Sequence, residues 1–316
     1  MHFSLRPFTG DFTALAALLN TVNTEPLTPE QLEANHTAFP ANGLRSRTVA
    51  VNESGALLGY ANTSWRPGAQ PGRFFFTLVT APGARRKGIG SALLADLAAW
   101  VRSQGGSILM TGVEDDDERA AQFARRHNFT VEEHQVTSAL RLPQFDPSRF
   151  AGVLEQAEAS GIRFVRYADL PGDESTERNV YELYKVTDLD TPGYAGTDPD
   201  DYPSFERWRE GIFGDEKTLP EGLFIAVDGD RFVGMTLLQR EDDEGGLYTE
   251  YTGVLREYRG RRLGLALKLL SVQFAREYGA SFMTTKNEAS NGPMLAINQQ
   301  MGYVKTSGRY WLVKNL

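Results

Sequence analysis

The chain of 316 residues contains no cysteine. That excludes disulfides, thiolate nucleophiles and cysteine-based zinc sites, and it suits a cytoplasmic protein, the expected location. Long apolar runs are missing too: none approaches the roughly 20 residues that cross a bilayer. The opening segment MHFSLRPFTGDF lacks the apolar core of a signal peptide, so neither export nor a membrane partner is expected. Histidine is scarce, and His2, His36, His127 and His134 fall into no H-x-x-x-H or carboxylate-spaced pattern, so no metal is expected. Positive charge is in deficit, with 33 Lys and Arg against 41 Asp and Glu, for a net charge of −8. Nucleic acid is therefore not an expected partner, and any basic cluster must act locally.

What is present is a duplication. The length is about twice the usual ~150 residues of a domain, and 41% hydrophobic with 23% charged residues is an ordinary globular composition. ARRKGIGSALLADLAAWVRSQGGSILMTGVE (84–114) and YRGRRLGLALKLLSVQFAREYGASFMTTKNE (258–288) align without a gap at an offset of 174, pairing Arg85 with Arg259, Gly90 with Gly264 and Gly105 with Gly279. So long a period means a duplicated domain rather than a solenoid. Prolines in LPQFDPSRF and the short helical AGVLEQAEASG mark the junction. The expected division is a first domain at 1–145, a linker helix at 146–160 and a second domain at 161–316. Hydrophobic periodicity predicts strands at 3–8, 47–52, 56–65, 73–80, 107–113 and 129–142 in the first half, with helices at 11–22, 88–104 and 117–127. The second half predicts strands at 223–228, 231–239, 246–254, 281–287 and 303–314, with helices at 263–278 and 291–301. Such a series implies an α/β or α+β layer structure around a mixed sheet.

The repeated segment joins a strand to a helix through a basic, glycine-bearing loop. Phe74 to Val79 read as a strand, and Ile89, Leu93, Leu94, Leu97 and Val101 recur at helical spacing. A helix N-terminus offers unpaired N–H groups and partial positive charge, and glycine admits a ligand close to the backbone. Arg85, Arg86, Lys87, Gly88, Ile89, Gly90 and Ser91 are thus candidates for holding a phosphate, and Thr80, at the end of the preceding strand, is a further candidate contact of the same ligand. Val254, Arg259, Gly260, Arg261, Arg262, Leu263 and Gly264 are their counterparts in the second half. The spacing lacks the third glycine of a dinucleotide fingerprint and the G-K-[ST] of a nucleotide P-loop.

The pattern Arg85-x-x-Gly88-x-Gly90 after a strand, followed by helix, strand and helix, resembles the acetyl-CoA-binding core of the GNAT superfamily of N-acyltransferases. TGVLREYRGRRLGLALK followed by TTKNEASNGPMLAINQQMGY resembles it more fully. In this second copy Arg262 occupies the middle glycine position; a frame shifted to Arg261-x-x-Gly264-x-Ala266 would restore it, but the constant offset favours Arg259-x-x-Arg262-x-Gly264. The resemblance spans both halves. It implies an α/β (α+β) fold of two GNAT-like domains, each a mixed, mostly antiparallel sheet flanked by helices. It also implies coenzyme A diphosphate on the loop, pantetheine between the two flanking strands, and direct attack by an acceptor amine on acetyl-CoA. Since an alkyl ammonium has a pKa near ~10, the amine must lose a proton. In YTEYTGV strand alternation puts Glu250, Thr252 and Val254 on one face, making Glu250 the candidate base, whereas Phe76 stands opposite in the first copy. A cross-strand ion pair is the other reading of Glu250. Many family members carry a tyrosine as general acid where this chain has Asn298, and Ala124 in the first copy. The proton donor to the thiolate therefore stays open. Asn298, on an otherwise apolar helical stripe, and Asn287 are candidate cofactor contacts, or Asn298 bonds a neighbouring backbone group. The acidic segment 187–208, with Asp188, Asp190, Asp198, Asp200 and Asp201, points to a small cationic amine as acceptor, or is a solvated loop. The expected function is an acyl-CoA-dependent N-acetyltransferase with a catalytic second half; the alternative is a non-catalytic acyl-CoA-binding protein.

Overall fold

The computed structural model describes residues 2–23, 26–194, 197–241 and 245–316. Two compact units divide the chain: one comprises Met1–Val113, Asp117–Glu132 and Tyr310–Leu316, the other Glu114–Asp116 and Glu133–Arg309. The sequence suggests domains at 1–145 and 161–316 joined by a linker helix at 146–160. The units instead trade segments, because residues 133–145 belong with the second unit and the last seven residues with the first.

In the first unit the order is β1 (Ser4–Pro7), α1 (Phe12–Leu19), α2 (Pro29–Thr37), β2 (Leu44–Val51), β3 (Leu57–Trp65), β4 (Arg73–Thr80), α3 (Ile89–Ser103), β5 (Ile108–Glu114) and α4 (Glu118–Arg126), leading into β6 (Thr130–Arg141). Strands β1 to β5 lie in sequence order, antiparallel except for the parallel β4–β5 pair. On one face the apolar stripe of α3, with Ile89, Leu93, Leu97 and Val101, packs on Ala61, Phe74, Phe76 and Leu109. On the other, Leu15, Leu18 and Leu19 of α1 cover Val49, Tyr60 and Val79. Leu312, from the chain's last segment, is part of the α3-side core, and the Leu316 N–H donates to the Ser107 carbonyl (2.8 Å).

The second unit runs α5 (Val153–Ala159), β7 (Ile162–Arg166), α6 (Glu174–Leu189), α7 (Phe205–Phe213), β8 (Thr218–Asp228), β9 (Arg231–Arg240), β10 (Gly246–Val254), α8 (Leu263–Tyr278), β11 (Phe282–Glu288) and α9 (Gly292–Met301), and then β12 (Val304–Asn315), of which the residues up to Arg309 belong to this unit. Its sheet order is β6-β11-β10-β9-β8-β7, with β10–β11 the parallel pair. Three helices go beyond the sequence reading. Helix α2 starts in a capping box between Thr28 and Gln31, with Pro29 in its first turn. Helix α6 starts at an Asp173 cap and buries Val180, Tyr181, Leu183, Tyr184 and Thr187 at helical spacing. Helix α7 is capped by Ser204 and buries Trp208.

Candidate active site

Each unit contains a parallel pair of strands that separates. In the second, β10 pairs with β11 only from Gly246–Phe282 to Thr249–Thr285, and residues 250–254 leave that ladder. In the first, β4 pairs with β5 only over Phe75–Met110 and the two preceding residues. The Leu255 N–H donates to Val233 (2.9 Å) and Ala81 N–H to Leu58 (2.9 Å), on the antiparallel neighbour in each case. Alternation along such a ladder turns the Val254 and Thr80 N–H groups toward the opened side.

The loops behind these strands are built alike. Arg259 Nε donates to the Val254 carbonyl (3.1 Å) and Arg85 Nε to the Thr80 carbonyl (3.2 Å), so each arginine braces its loop against the end of the preceding strand. A second arm of Arg259 is held by Asp190 (2.9 Å). Two left-handed residues follow in each copy: Arg86 (φ 63) and Gly88 (φ 81), then Gly260 (φ 78) and Arg262 (φ 62). Glycine and arginine have changed places between copies while the backbone path is kept. Arg262 and Gly88 both stand immediately before the helix, which supports the frame set by the constant offset. Gly90 and Gly264 serve packing: a Cβ at Gly90 would lie 3.1 Å from the Phe123 ring, and one at Gly264 3.3 Å from Ile297, the counterpart of Phe123. Ile89 and Leu263 are buried beneath the loops. The Lys87 ammonium donates to Gly83 (2.9 Å), Ser91 Oγ lies 3.0 Å from His127 Nε2, and Arg261 lies over the Tyr258 ring (4.9 Å).

Asn298 and Asn287 meet each other. The Asn298 Nδ2 group donates to Asn287 Oδ1 (2.7 Å), while Asn298 Oδ1 is buried and meets no partner among the described residues. A buried acceptor left open is costly unless a ligand donor meets it. With opened strands and free helix-start amides, the residues present fit an extended ligand carrying amides and a diphosphate.

Glu250 stands at a β-bulge. The β10–β9 register runs Thr249↔Leu238 and then Tyr251↔Leu237, leaving Glu250 as the extra residue. The bulge removes Glu250 from the row expected from alternation. Thr252 bonds Thr236 (2.9 Å) on the α8 side, where Ser271 also meets Thr236, whereas Glu250 is influenced by Asp215, Lys286 and Asp188. Burial raises the Glu250 pKa above the usual carboxylate value; Asp215 and Asp188 raise it further and Lys286 opposes them. In the first unit β4 pairs with β3 without a break from Ser64–Phe75 to Gly59–Thr80, and Phe76 is core. That copy has neither the carboxylate nor the bulge.

Around Glu250 stands an aromatic and acidic wall, of which the sequence points to Asp188, within the acidic segment, but not to the aromatic members. Tyr184 stacks on Tyr251 (3.9 Å between centroids), Tyr251 bonds Thr187 (2.8 Å), and Tyr202 donates to Asp188 (2.9 Å). Burial pushes Asp188 up to about 6 despite that hydrogen bond. The other acidic residues of segment 187–208 are not part of this wall. Asp190 binds Arg256 (2.7 Å) and Arg259, and Asp198 caps its own turn through the Asp200 N–H (3.0 Å). Ala195 and Gly196 of that segment lie outside the described residues. Lys268, the counterpart of core residue Leu94, is buried 4.9 Å from the Tyr303 ring centre, and burial lowers its pKa to about 7. Among the described residues no group of three or more His, Asp or Glu is placed to hold a metal, and no helix is long and apolar enough to cross a membrane.

Two parallel pairs that open beside a braced, left-handed loop at a helix start are the defining features of both units. The family model described as the acetyltransferase (GNAT) family matches residues 12–129 and again 180–303. The chain belongs to the acetyltransferase (GNAT) family, in a tandem two-domain form. It is similar to the mycothiol acetyltransferase of Geodermatophilus obscurus, with 25% identity over 288 residues, 89% of this chain and 85% of that protein. It is also similar to N-alpha-acetyltransferase 30 of Schizosaccharomyces pombe, with 28% identity over 98 residues, 29% of this chain. There the match spans 65% of the relative's length, just under two thirds. Among solved structures, a tandem GNAT protein from the clavulanic acid biosynthesis pathway shares the fold at a TM-score of 0.63 and 20% identity, covering 99% of this chain and 98% of that one.

Proposed function

We propose that the second unit transfers an acetyl group from acetyl-CoA to the primary amine of a small cationic acceptor by direct attack, while the first unit binds acyl-CoA without transferring from it. The observation that carries this reading is Glu250, lifted out of the β10 ladder where β10 leaves β11, with a raised pKa and no equivalent in the first copy.

Acetyl-CoA supplies the acetyl group as a thioester; the chain supplies position and proton transfer. Backbone N–H groups of Gly260 to Gly264 receive the diphosphate at the start of α8, with Arg259 fixing the loop rather than the ligand. Asn298 Oδ1 accepts from a pantetheine amide, and Asn287 holds the Asn298 side chain in place. The Val254 N–H donates to the thioester oxygen as negative charge gathers there. Glu250, ionised, takes the proton from the acceptor ammonium directly or through one water, and its raised pKa makes it a better base than an ordinary carboxylate; the freed amine would form the C–N bond as the thioester C–S bond breaks, its second proton passing through water to the departing thiolate. Asp188 and the Tyr184–Tyr251 stack receive the rest of the cationic acceptor. The Arg86–Ser91 segment with Thr80 forms the corresponding acyl-CoA seat in the first unit.

A thiol-release assay over a panel of amines tests the reading. Turnover is expected with cationic amines, with an acidic limb in kcat/KM whose midpoint lies above the ordinary Glu value. Glu250→Gln should lower kcat/KM by about 10²- to 10⁴-fold and abolish that limb. Cofactor binding without amine-dependent thiol release would leave a binding protein, and an unchanged profile in Glu250→Gln would remove Glu250 as the base.

A further inference from the structure

We propose that the first unit carries a second, separate binding site, for a small multiply charged oxyanion bearing carboxylate or phosphate groups, gripped by Arg45, Arg47 and Arg66. It stands independently of the transfer reaction assigned to the second unit.

The site follows from strand register. Cross-strand partners point to the same side of a sheet, so Val49, Tyr60 and Val79 form one row, which α1 buries. The next row on that face is Arg47, Asn62 and Thr77, and the one beyond is Arg45, Ser64 and Phe75. The face thus changes from apolar to basic and hydroxylic where the core ends, and Thr77 and Phe75 are exposed there. Arg66 extends the same edge of β3. Aromatic rings hold the guanidinium groups in position: Arg45 (4.2 Å) and Arg66 (5.2 Å) share the Phe39 ring, and Arg47 lies over Phe8 (4.7 Å) and Phe12 (5.7 Å).

Three cations are gathered here. None of the three meets a carboxylate among the described residues, whereas Arg73 and Arg125 of the same unit are paired with Glu132 and Glu118. Their polar neighbours are neutral: the Tyr60 hydroxyl, which bonds Arg47, and His36 on α2, whose backbone carbonyl accepts from Arg45 (3.0 Å). Arg45 Nη2 donates to His36 Nδ1 (2.6 Å), and Arg47 Nη2 lies 3.5 Å from Nε2. A neutral imidazole accepts at only one nitrogen, so one of these contacts sets donor against donor. Burial and both arginines hold His36 below its usual pKa, against a lesser opposing effect of Glu33, which favours the neutral ring with its single acceptor nitrogen. Burial, Arg47 and Arg66 likewise depress Arg45, with Tyr60 opposing. An oxyanion with several acceptor atoms would resolve the mutual repulsion and satisfy the fork of each guanidinium. Asn62, Ser64 and Thr77 add neutral donors beside it.

The test is isothermal titration of the full-length protein with inorganic phosphate and, separately, with citrate, at constant ionic strength set by chloride. Saturable binding of at least one is expected; the tighter of the two identifies whether phosphate or carboxylate is the better match. Arg66→Gln, at an exposed residue whose contact is one ring face, and Arg45→Gln should each weaken binding about tenfold or more while leaving the melting temperature without ligand equal or higher. Arg45→Lys, which keeps the charge but not the fork, should weaken it as well. Absence of saturable binding by either probe overturns the proposal. So does binding unchanged in Arg66→Gln and Arg45→Gln, because the anion would then lie at the helix-start loops.

Discussion

At the scale of single residues the two copies diverge by exchanging apolar side chains for ionisable ones. Phe76 becomes Glu250 and Leu94 becomes Lys268, both in places where water is scarce. Asp188 belongs to the same set. Its folded pKa, about 6, lies above the ordinary 3.8, so its ionisation costs stability. That cost is absent below the unfolded value and complete once pH has risen through 6. Asp188→Asn keeps an oxygen for Tyr202 and removes the charge. It should therefore raise the melting temperature at pH 8 but not at pH 3.5, while raising KM for cationic amines roughly tenfold, about 1.4 kcal/mol, and leaving KM for neutral amines unchanged. Equal KM effects on both kinds of amine, measured by initial rates, would show that Asp188 does not read acceptor charge. The acidic stretch points to a cationic acceptor but does not single out Asp188. Five aspartates look equivalent in sequence, yet Arg256 and Arg259 neutralise Asp190 and only burial distinguishes Asp188.

At the scale of elements the loop before the helix was readable because its demand is local. A left-handed backbone tolerates few residues, so glycine marks it, and the duplication marks it twice. The constant offset already favours Arg262 at this position, but only the backbone shows that it takes the left-handed conformation that Gly88 takes in the other copy. Relieving that strain predicts that Arg262→Gly raises stability by roughly 1 kcal/mol, read as a shift in urea midpoint. Gly88→Ala should lower it by about as much. If backbone amides hold the diphosphate, Arg262→Gly keeps its coenzyme A affinity; a tenfold loss would mean that the guanidinium is a ligand instead. The bulge at Glu250 was invisible to pattern reading for a related reason. Alternation assumes an unbroken ladder, and the break is visible only once β9 is laid beside β10. Helix α6 escaped because charged residues interleave its buried face, although Asp173 signals its start.

At the scale of the whole molecule, the division of the chain into units carries a prediction for fragments. The segment 1–145 lacks Tyr310–Leu316, and with it Leu312 of the α3-side core, the Phe75–Trp311 ring contact and the Leu316 bond to Ser107. Losing one such buried leucine alone costs on the order of 2–5 kcal/mol, a large part of a domain's stability. The fragment should then unfold at far lower urea than the first unit does in the full chain, and a peptide of residues 310–316 added in excess should restore part of the loss. A fragment as stable as the intact unit would contradict the assignment of that last segment.

The sequence by itself determined the duplication, the order of most elements, the basic glycine-bearing loops before the helices and the asymmetry between Glu250 and Phe76, because each rests on residues near one another in the chain or on a fixed offset. Tertiary structure alone decided which aspartate is buried, that Asn298 keeps an open acceptor, that three arginines of the first unit share one face, and which unit owns the final strand segment. Those features depend on partners far away in sequence, and on burial and charge that arise only when the chain has folded around them.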